Sequence, residues 1–307
     1  MAECVVAVDL GGTSIKAGLV DRRGTLLHRR RVPTAREDGD EAVLRQLVRV
    51  VTDMIDAATE RDLVPLAAGV AVLGIVDERH GRVITASNLG WRDLPVGEYL
   101  EQRIAVPVAL GHDVRVGAWA EWALGAGRDV ADVLFLAVGT GVSAGLVLDG
   151  RLHSGGGYAG ELGHVVVAPG GRACGCGNRG CVETVASAAA IADRYAELSG
   201  ESISTAEVAA RAARGGRLAA QVWGEAVEAL ATALAAAVNL LAPEVIIVGG
   251  GLGGAGSAVL DPLRDRLSEH LTFQRRPRVV APELGDLAGC IGAGLLAWQR
   301  LDRQVRP

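Results

Sequence analysis

CVVAVDLGGTSIKAGLVDRRG, residues 4–24, holds two short strands around a glycine turn. An apolar run (residues 4–10) stops at Gly11-Gly12, a second (14–20) stops at Asp21-Arg22-Arg23-Gly24, and residues 25–32 supply a third strand. VLFLAVGTGVSAGLVLDGRL, residues 133–152, repeats the order: apolar strand, Gly-Thr-Gly turn, a second strand with the same AGLV string (144–147 against 17–20), then an Asp149-Gly150 hairpin turn. Four common residues make a weak match, but the shared order implies a chain built from two related halves.

Between the repeats, residues 41–61 have amphipathic helical spacing, 67–76 form a β run, and PVALGHD (107–113) opens into a helix over 114–124. Beyond residue 183 helices are expected over 187–198 and 221–241, with Ser204-x-x-Glu207 as a capping box between them. Pro243 ends the long helix, EVIIVGGG (244–251) is a buried strand entering a glycine turn, and a last helix covers about 286–301. Alternating strands and helices make the fold class α/β.

Composition narrows the partners. Half of the 307 residues are apolar and 22% are charged, as in ordinary globular chains and far from disordered ones. The net charge of −5 supplies no basic field for nucleic acid. Arg29, Arg30 and Arg31 form the one notable basic run and read as a solvated strand edge; Lys16 is the single lysine. The N-terminus lacks the positive region of a signal peptide, and the weakly polar stretch 229–242 is shorter than the roughly 20 residues of a membrane span, so a cytoplasmic protein with no membrane partner is expected. Five cysteines are an odd number, and three fall within eight positions, which suits a metal site in a reducing compartment.

The 42 glycines cluster where chemistry is expected. Gly11-Gly12-Thr13, Gly139-Thr140-Gly141 and Gly249-Gly250-Gly251 offer backbone N–H groups unobstructed by Cβ, two of them with a hydroxyl, as phosphate cradles. Taken alone, each reads better as a plain tight turn that needs positive φ. No P-loop string occurs, and Gly251-x-Gly253-x-x-Gly256 matches the dinucleotide fingerprint with only about 50 residues left for the further strand-helix pairs that fold needs. Asp9 tips the balance toward phosphate, because an acid at the end of an apolar strand needs a cation, and a magnesium shell is a natural one.

His164-x9-Cys174-x-Cys176-x4-Cys181 supplies an imidazole and three thiolates, a closed tetrahedral set for structural Zn²⁺. Glu161 and Glu183 flank the ligands, so ordering the loop would fix both acids. Asp113 follows an apolar strand at the start of a helix, where spacing leaves two roles open: helix cap or general base.

DLGGTSIKAG (9–18), VGTGVSAG (138–145) and IIVGGG (246–251) resemble the phosphate-1, phosphate-2 and adenosine elements of the sugar kinase, Hsp70 and actin superfamily, and residues 161–183 resemble the ROK family of bacterial sugar kinases and repressors. The resemblance runs from residue 5 to about 298. It implies two related ribonuclease H-like domains with a sugar and ATP cleft between them. The small domain would cover 1–112, with a C-terminal helix at about 290–307 packing back on it, and the larger would cover 113–289, with a zinc loop at 161–183. The implied activity is ATP-dependent phosphorylation of a hexose at its 6-hydroxyl, glucose foremost, with Asp113 as base. Asn88, His112, Asp113, Glu161, His164 and Glu183 would be the sugar ligands. Asp9, Lys16 and the three glycine turns would hold Mg²⁺ and ATP, and the chain would form a homodimer or homotetramer.

The chain departs from the family at His112, where its kinases carry an Asn that binds the sugar, at Arg115, and at Leu73, which replaces a usual Pro. Alternatives implied by the resemblance are another sugar (N-acetylmannosamine, N-acetylglucosamine, fructose, allose), polyphosphate as donor, or a sugar-binding protein without catalysis. A repressor would need an N-terminal helix-turn-helix, for which a first strand at residue 5 leaves no room.

Overall fold

The apolar run at residues 4–8 is continuous because its strand is covered on both sides. In this computed structural model, which describes residues 1–36, 39–253 and 256–305, strand β1 (Ala2–Leu10) turns Cys4, Val6, Val8 and Leu10 toward Leu47 and Val51 of helix α1 (Asp40–Thr59). Its alternate residues Val5 and Ala7 share a core with Cys290, Ala293, Ala297 and Trp298 of the C-terminal helix, Ala288–Val305. Asp9 continues the second series and therefore faces the C-terminal helix.

The first compact unit comprises Met1–Leu124, residues 154–159 and the chain from Asp286 onward. In chain order it holds β1, β2 (Ser14–Val20), β3 (Leu26–Pro33), α1 (Asp40–Thr59), β4 (Leu63–Val72), β5 (Ile75–Asp77), β6 (Arg82–Ala86), β7 (Trp91–Leu94), α2 (Val96–Glu101), β8 (Val108–His112) and α3 (Asp113–Leu124). Its main sheet runs β3-β2-β1-β4-β8, antiparallel across β1–β3 and parallel across β1-β4-β8. Strands β5-β6-β7 form a small separate sheet.

The second unit, Gly125–His153 with Gly160–Gly285, contains β9 (Val133–Val138), β10 (Val142–Leu148), β11 (Arg151–His153), α4 (Glu183–Ala186), α5 (Ala188–Ser199), α6 (Thr205–Ala213), α7 (Arg217–Leu241), β12 (Val245–Gly249), α8 (Gly250–Gly253), α9 (Ser257–His270) and β13 (Arg278–Val280). Its sheet order, β11-β10-β9-β12-β13, repeats that of the first unit position for position, with the same pairing senses. The two halves expected from the glycine-turn repeat are thus two copies of one topology.

Two expectations shift. The units divide after Leu124 rather than at residue 113, because Val116 of α3 lies in one core with Ala293 and Cys290 of the C-terminal helix. Residues 306–307 of that expected helix lie outside the described residues. Helix α7 also begins one turn before residue 221. By length and composition it could cross a membrane, yet more than half of its most apolar window is buried within the protein. The Ser204 half of the capping box forms, with Ser204 Oγ accepting the Glu207 N–H at 3.2 Å, while the Glu207 carboxylate pairs with Arg211 and Arg214.

Candidate active site

In the first unit the charged groups stand at strand ends. Asp9 pairs in register with Lys16 across the β1–β2 hairpin, and the Lys16 ammonium lies 3.5 Å from Asp9 Oδ2 and 2.7 Å from Asp286 Oδ1. A Cβ at Gly289 would stand 2.7 Å from Asp9 Oδ2, so only glycine lets the first turn of the C-terminal helix close over this carboxylate. Burial first, and then repulsion by Asp113, push the Asp9 carboxyl up to about 6, with Lys16 opposing the rise. Between the strands, Gly11 N–H donates to Ser14 O at 3.1 Å and Thr34 ties the turn down through Gly11 O and Thr13 O, leaving Thr13 exposed.

Asp113 begins α3 directly after β8 ends at His112. Its Oδ1 accepts the Val114 N–H at 2.7 Å. Desolvation pushes the carboxyl up to about 6 against the pull of that N–H, Arg115 and Lys16. The helix-capping role falls instead to His112, whose Nδ1 accepts the Arg115 N–H at 3.3 Å, the i to i+3 geometry of a cap. Burial, and then the Arg115 charge, lower the His112 ring to about 3, so it is neutral. With Nδ1 accepting, the proton resides on Nε2, 3.4 Å from Asp113 Oδ1. The Nδ1 of the expected sugar ligand His112 is therefore committed to the backbone, and its Nε2 stands beside Asp113.

Arg115 is fully buried. Its guanidinium donates to Glu78 Oε1 (2.9 Å), Gly157 O (3.1 Å) and Val76 O (3.3 Å), and Glu78 Oε1 also receives the His112 backbone N–H at 3.4 Å. Asn88 is exposed on a short turn, Ser87–Leu89, between β6 and β7.

In the second unit, the turn at Gly139, Thr140 and Gly141 closes through Gly139 N–H to Gly141 O (2.9 Å), and Glu183 Oε2 accepts the Val142 N–H at 3.0 Å. The third turn differs from the other two: Gly249 ends β12 and Gly250 starts α8, so it leads from strand to helix rather than from strand to strand.

The Cys/His segment folds on itself through Val166–Cys181 and Ala173–Arg179 bridges. His164, Cys174, Cys176 and Cys181 bring their ligand atoms within 4.8 Å of one another. The edges Cys176 Sγ to Cys181 Sγ (3.7 Å) and Cys174 Sγ to His164 Nδ1 (3.6 Å) match the roughly 3.6–3.8 Å edges of a tetrahedron with metal–sulfur bonds of about 2.3 Å and metal–nitrogen bonds of about 2.0 Å. The donor set therefore fits a zinc ion. His164 Nε2 lies 3.8 Å from Glu161 Oε2, so the ring turns one nitrogen to the thiols and the other to the acid.

The structure gathers Asp9, Lys16, His112 and Asp113 in the first unit, and Glu161, His164, the cysteines, Glu183 and the 139–141 turn in the second. Sequence reasoning missed Glu78 and Asp286, which sit in ordinary charged turns and carry no local signal. Arg31, taken as a solvated edge, is exposed but bonds Ser14 Oγ at 3.1 Å and lies 3.5 Å from Asp286.

Two units of one topology, each with a glycine turn after its first strand, define the two-domain ATPase fold shared by sugar kinases, Hsp70 and actin. The ROK family model matches residues 5–300. A glucokinase of Halalkalibacterium halodurans is 31% identical over 322 residues, 96% of this chain and 95% of that one. The solved ROK hexokinase of Thermus thermophilus superposes with a TM-score of 0.86 at 33% identity, covering 98% and 99% of the two chains. A Streptomyces griseus ROK glucokinase, solved with glucose and AMPPNP, gives 0.85 at 31% identity over 96% and 99%. The chain belongs to the ROK family.

Proposed function

We propose that this protein is a glucokinase that transfers the γ-phosphoryl group of ATP to the 6-hydroxyl of D-glucose. The observation that carries the reading is Asp113: a carboxyl raised to about 6, at a strand–helix junction, in a chain similar over its whole length to glucokinases. Near neutral pH such a group is ionised yet basic enough to take a proton.

In this reading the glucose 6-oxygen forms a bond to the γ-phosphorus as its proton passes to the Asp113 carboxylate. The bond from phosphorus to the β,γ-bridging oxygen breaks, and ADP leaves with the electron pair. The glycine turns at 11–13, 139–141 and 249–251 hold phosphates and nucleotide through backbone N–H groups, and Lys16 adds a cation. Asp9 would hold Mg²⁺, which would supply charge neutralisation on the phosphates. Asn88, Glu161, His164 and Glu183 take the sugar hydroxyls, the carboxylates as acceptors. His112 serves the site through Asp113 rather than as a hydroxyl ligand. His164, Cys174, Cys176 and Cys181 would hold a structural Zn²⁺, which would order the loop that carries the two glutamates.

ADP release with Mg-ATP, measured against hexoses and N-acetylhexosamines for the parent and Asp113→Asn, tests the reading. Glucose-dependent turnover that vanishes in the variant is expected. Turnover with an N-acetylhexosamine but not glucose would overturn the substrate, and none with any sugar would overturn the activity.

A further inference from the structure

A guanidinium is among the costliest groups to bury, and one survives in a core only where its donors are matched. Arg115 is such a group, and its partners lie far apart in sequence: Glu78, Val76 O and Gly157 O. Gly157 belongs to a segment, residues 154–159, that packs in the first unit although the chain before and after it packs in the second. This segment is held closely. Gly157 has φ +99°, and a Cβ there would stand 2.4 Å from Val76 O. Three residues later Gly160 O accepts the Ala144 N–H of β10 at 2.7 Å, anchoring the chain in the second unit. Glu161 follows directly, and His164 three residues after it. The other end of the Arg115 cluster is the start of α3, where the Arg115 N–H bonds His112 and Glu78 holds the His112 N–H.

We propose that Arg115 is a positioning residue that clamps residues 154–159 to the helix bearing Asp113, and so sets the approach of Glu161 and His164 to the sugar. The proposal rests on the sugar-kinase reading for its ligand, but the clamp itself does not. A glycine rotation or a lost guanidinium contact at Gly157 displaces the chain entering Glu161 while leaving the glycine turns and Lys16 untouched. Misplacement of about 1 Å is worth up to about 10²-fold in a recognition site. Sugar affinity should therefore suffer and nucleotide affinity should not.

Arg115→Lys keeps the charge beside Glu78 but cannot reach all three acceptors, and Gly157→Ala disturbs the clamp from the opposite side with the ion pair intact. In each variant the glucose KM should rise about 10- to 100-fold, with the ATP KM within about twofold. Amide exchange at residues 155–160 should quicken, while exchange in β9 and β10 is unchanged. Equal loss of both affinities, or unchanged exchange at 155–160, would overturn the clamp. If the parent protein turns over no sugar, the activity reading fails separately, and exchange together with calorimetric sugar binding still decides the clamp.

Discussion

The strand-turn-strand pieces Val5–Val20 and Val133–Val147 pair in the same antiparallel sense, yet the first sets Asp9 across from Lys16 where the second sets Ala137 across from Ser143. In the first sheet β8 ends at His112 with Asp113 next in the chain, while the equivalent β13 ends at Val280. Acids in the first unit thus sit on rigid strand ends, backed by burial. In the second unit they sit in a loop, Glu161 to Glu183, held by a Cys/His cluster. One topology duplicated, with charge placed differently on each copy, separates two tasks. In the proposed reading, strand ends fix groups that take protons and face phosphates, and a loop ordered by its Cys/His cluster presents groups that recognise a ligand.

The largest effect should come from the first unit. Asp113→Asn is expected to lower kcat by about 10²- to 10⁴-fold, the usual range for loss of a general base. The parent kcat/KM should fall below about pH 6 as Asp113 takes up its proton. Stability should move in the opposite sense. Because its folded value is raised from 3.8 to about 6, the folded protein holds a proton over that window that the unfolded chain releases, and stability declines as pH rises through it. The variant escapes this cost above the window, so its Tm should exceed the parent's by a few degrees at pH 8 and equal it at pH 3. A variant no more stable at pH 8 would mean that burial does not raise the Asp113 carboxyl as described.

Metal removal should strike the other unit alone. Stripping the cluster with a chelator, or Cys176→Ser, would remove the tie between His164 and the Cys174–Cys181 stretch, and glucose affinity should fall by on the order of 10²-fold. The first unit's amide protection should stay as it was. Metal content by mass spectrometry, with glucose titration before and after zinc return, checks this. A chain that holds no metal and binds glucose normally would erase the contrast between the two units.

How much of this contrast the residues announce depends on the range of the interaction. The hairpins were legible because β1 and β9 are apolar on both faces, and a continuous run of Val, Leu and Ala between glycine turns has few other uses. The Cys/His set was legible because its ligands lie within 18 residues of one another. The Arg115 clamp was not, since Glu78 is 37 residues away and Gly157 is 42, and each is locally unremarkable. Spacing alone leaves the cap at α3 open for a related reason. Asp is the commoner cap, and only the structure puts His112 Nδ1 on the Arg115 N–H. The unit boundary was placed too early because the pattern of α3 gives no sign that its partner is a helix some 170 residues on.

The charge difference between hairpins can be tested by transplanting it. Ala137→Asp puts an acid on β9 where Ser143 offers no cation, and should cost about 1–3 kcal/mol of stability in urea unfolding. Adding Ser143→Lys rebuilds the Asp9–Lys16 pair and should recover part of that loss. No recovery would mean that Asp9 is stabilised by the C-terminal helix rather than by Lys16.

The smallest effect separates two duties of Glu183. Its Oε2 accepts the Val142 N–H and so braces the 139–141 turn. Glu183→Gln keeps an oxygen for that bond, so stability should change by less than about 0.5 kcal/mol, while glucose affinity drops several-fold because an acceptor becomes a donor. Glu183→Ala removes both duties, and should cost about 1–3 kcal/mol of stability along with the same sugar effect. If the Gln variant binds glucose as the parent does, Glu183 belongs to the turn alone. The second unit's loop would then present Glu161 and His164 without it.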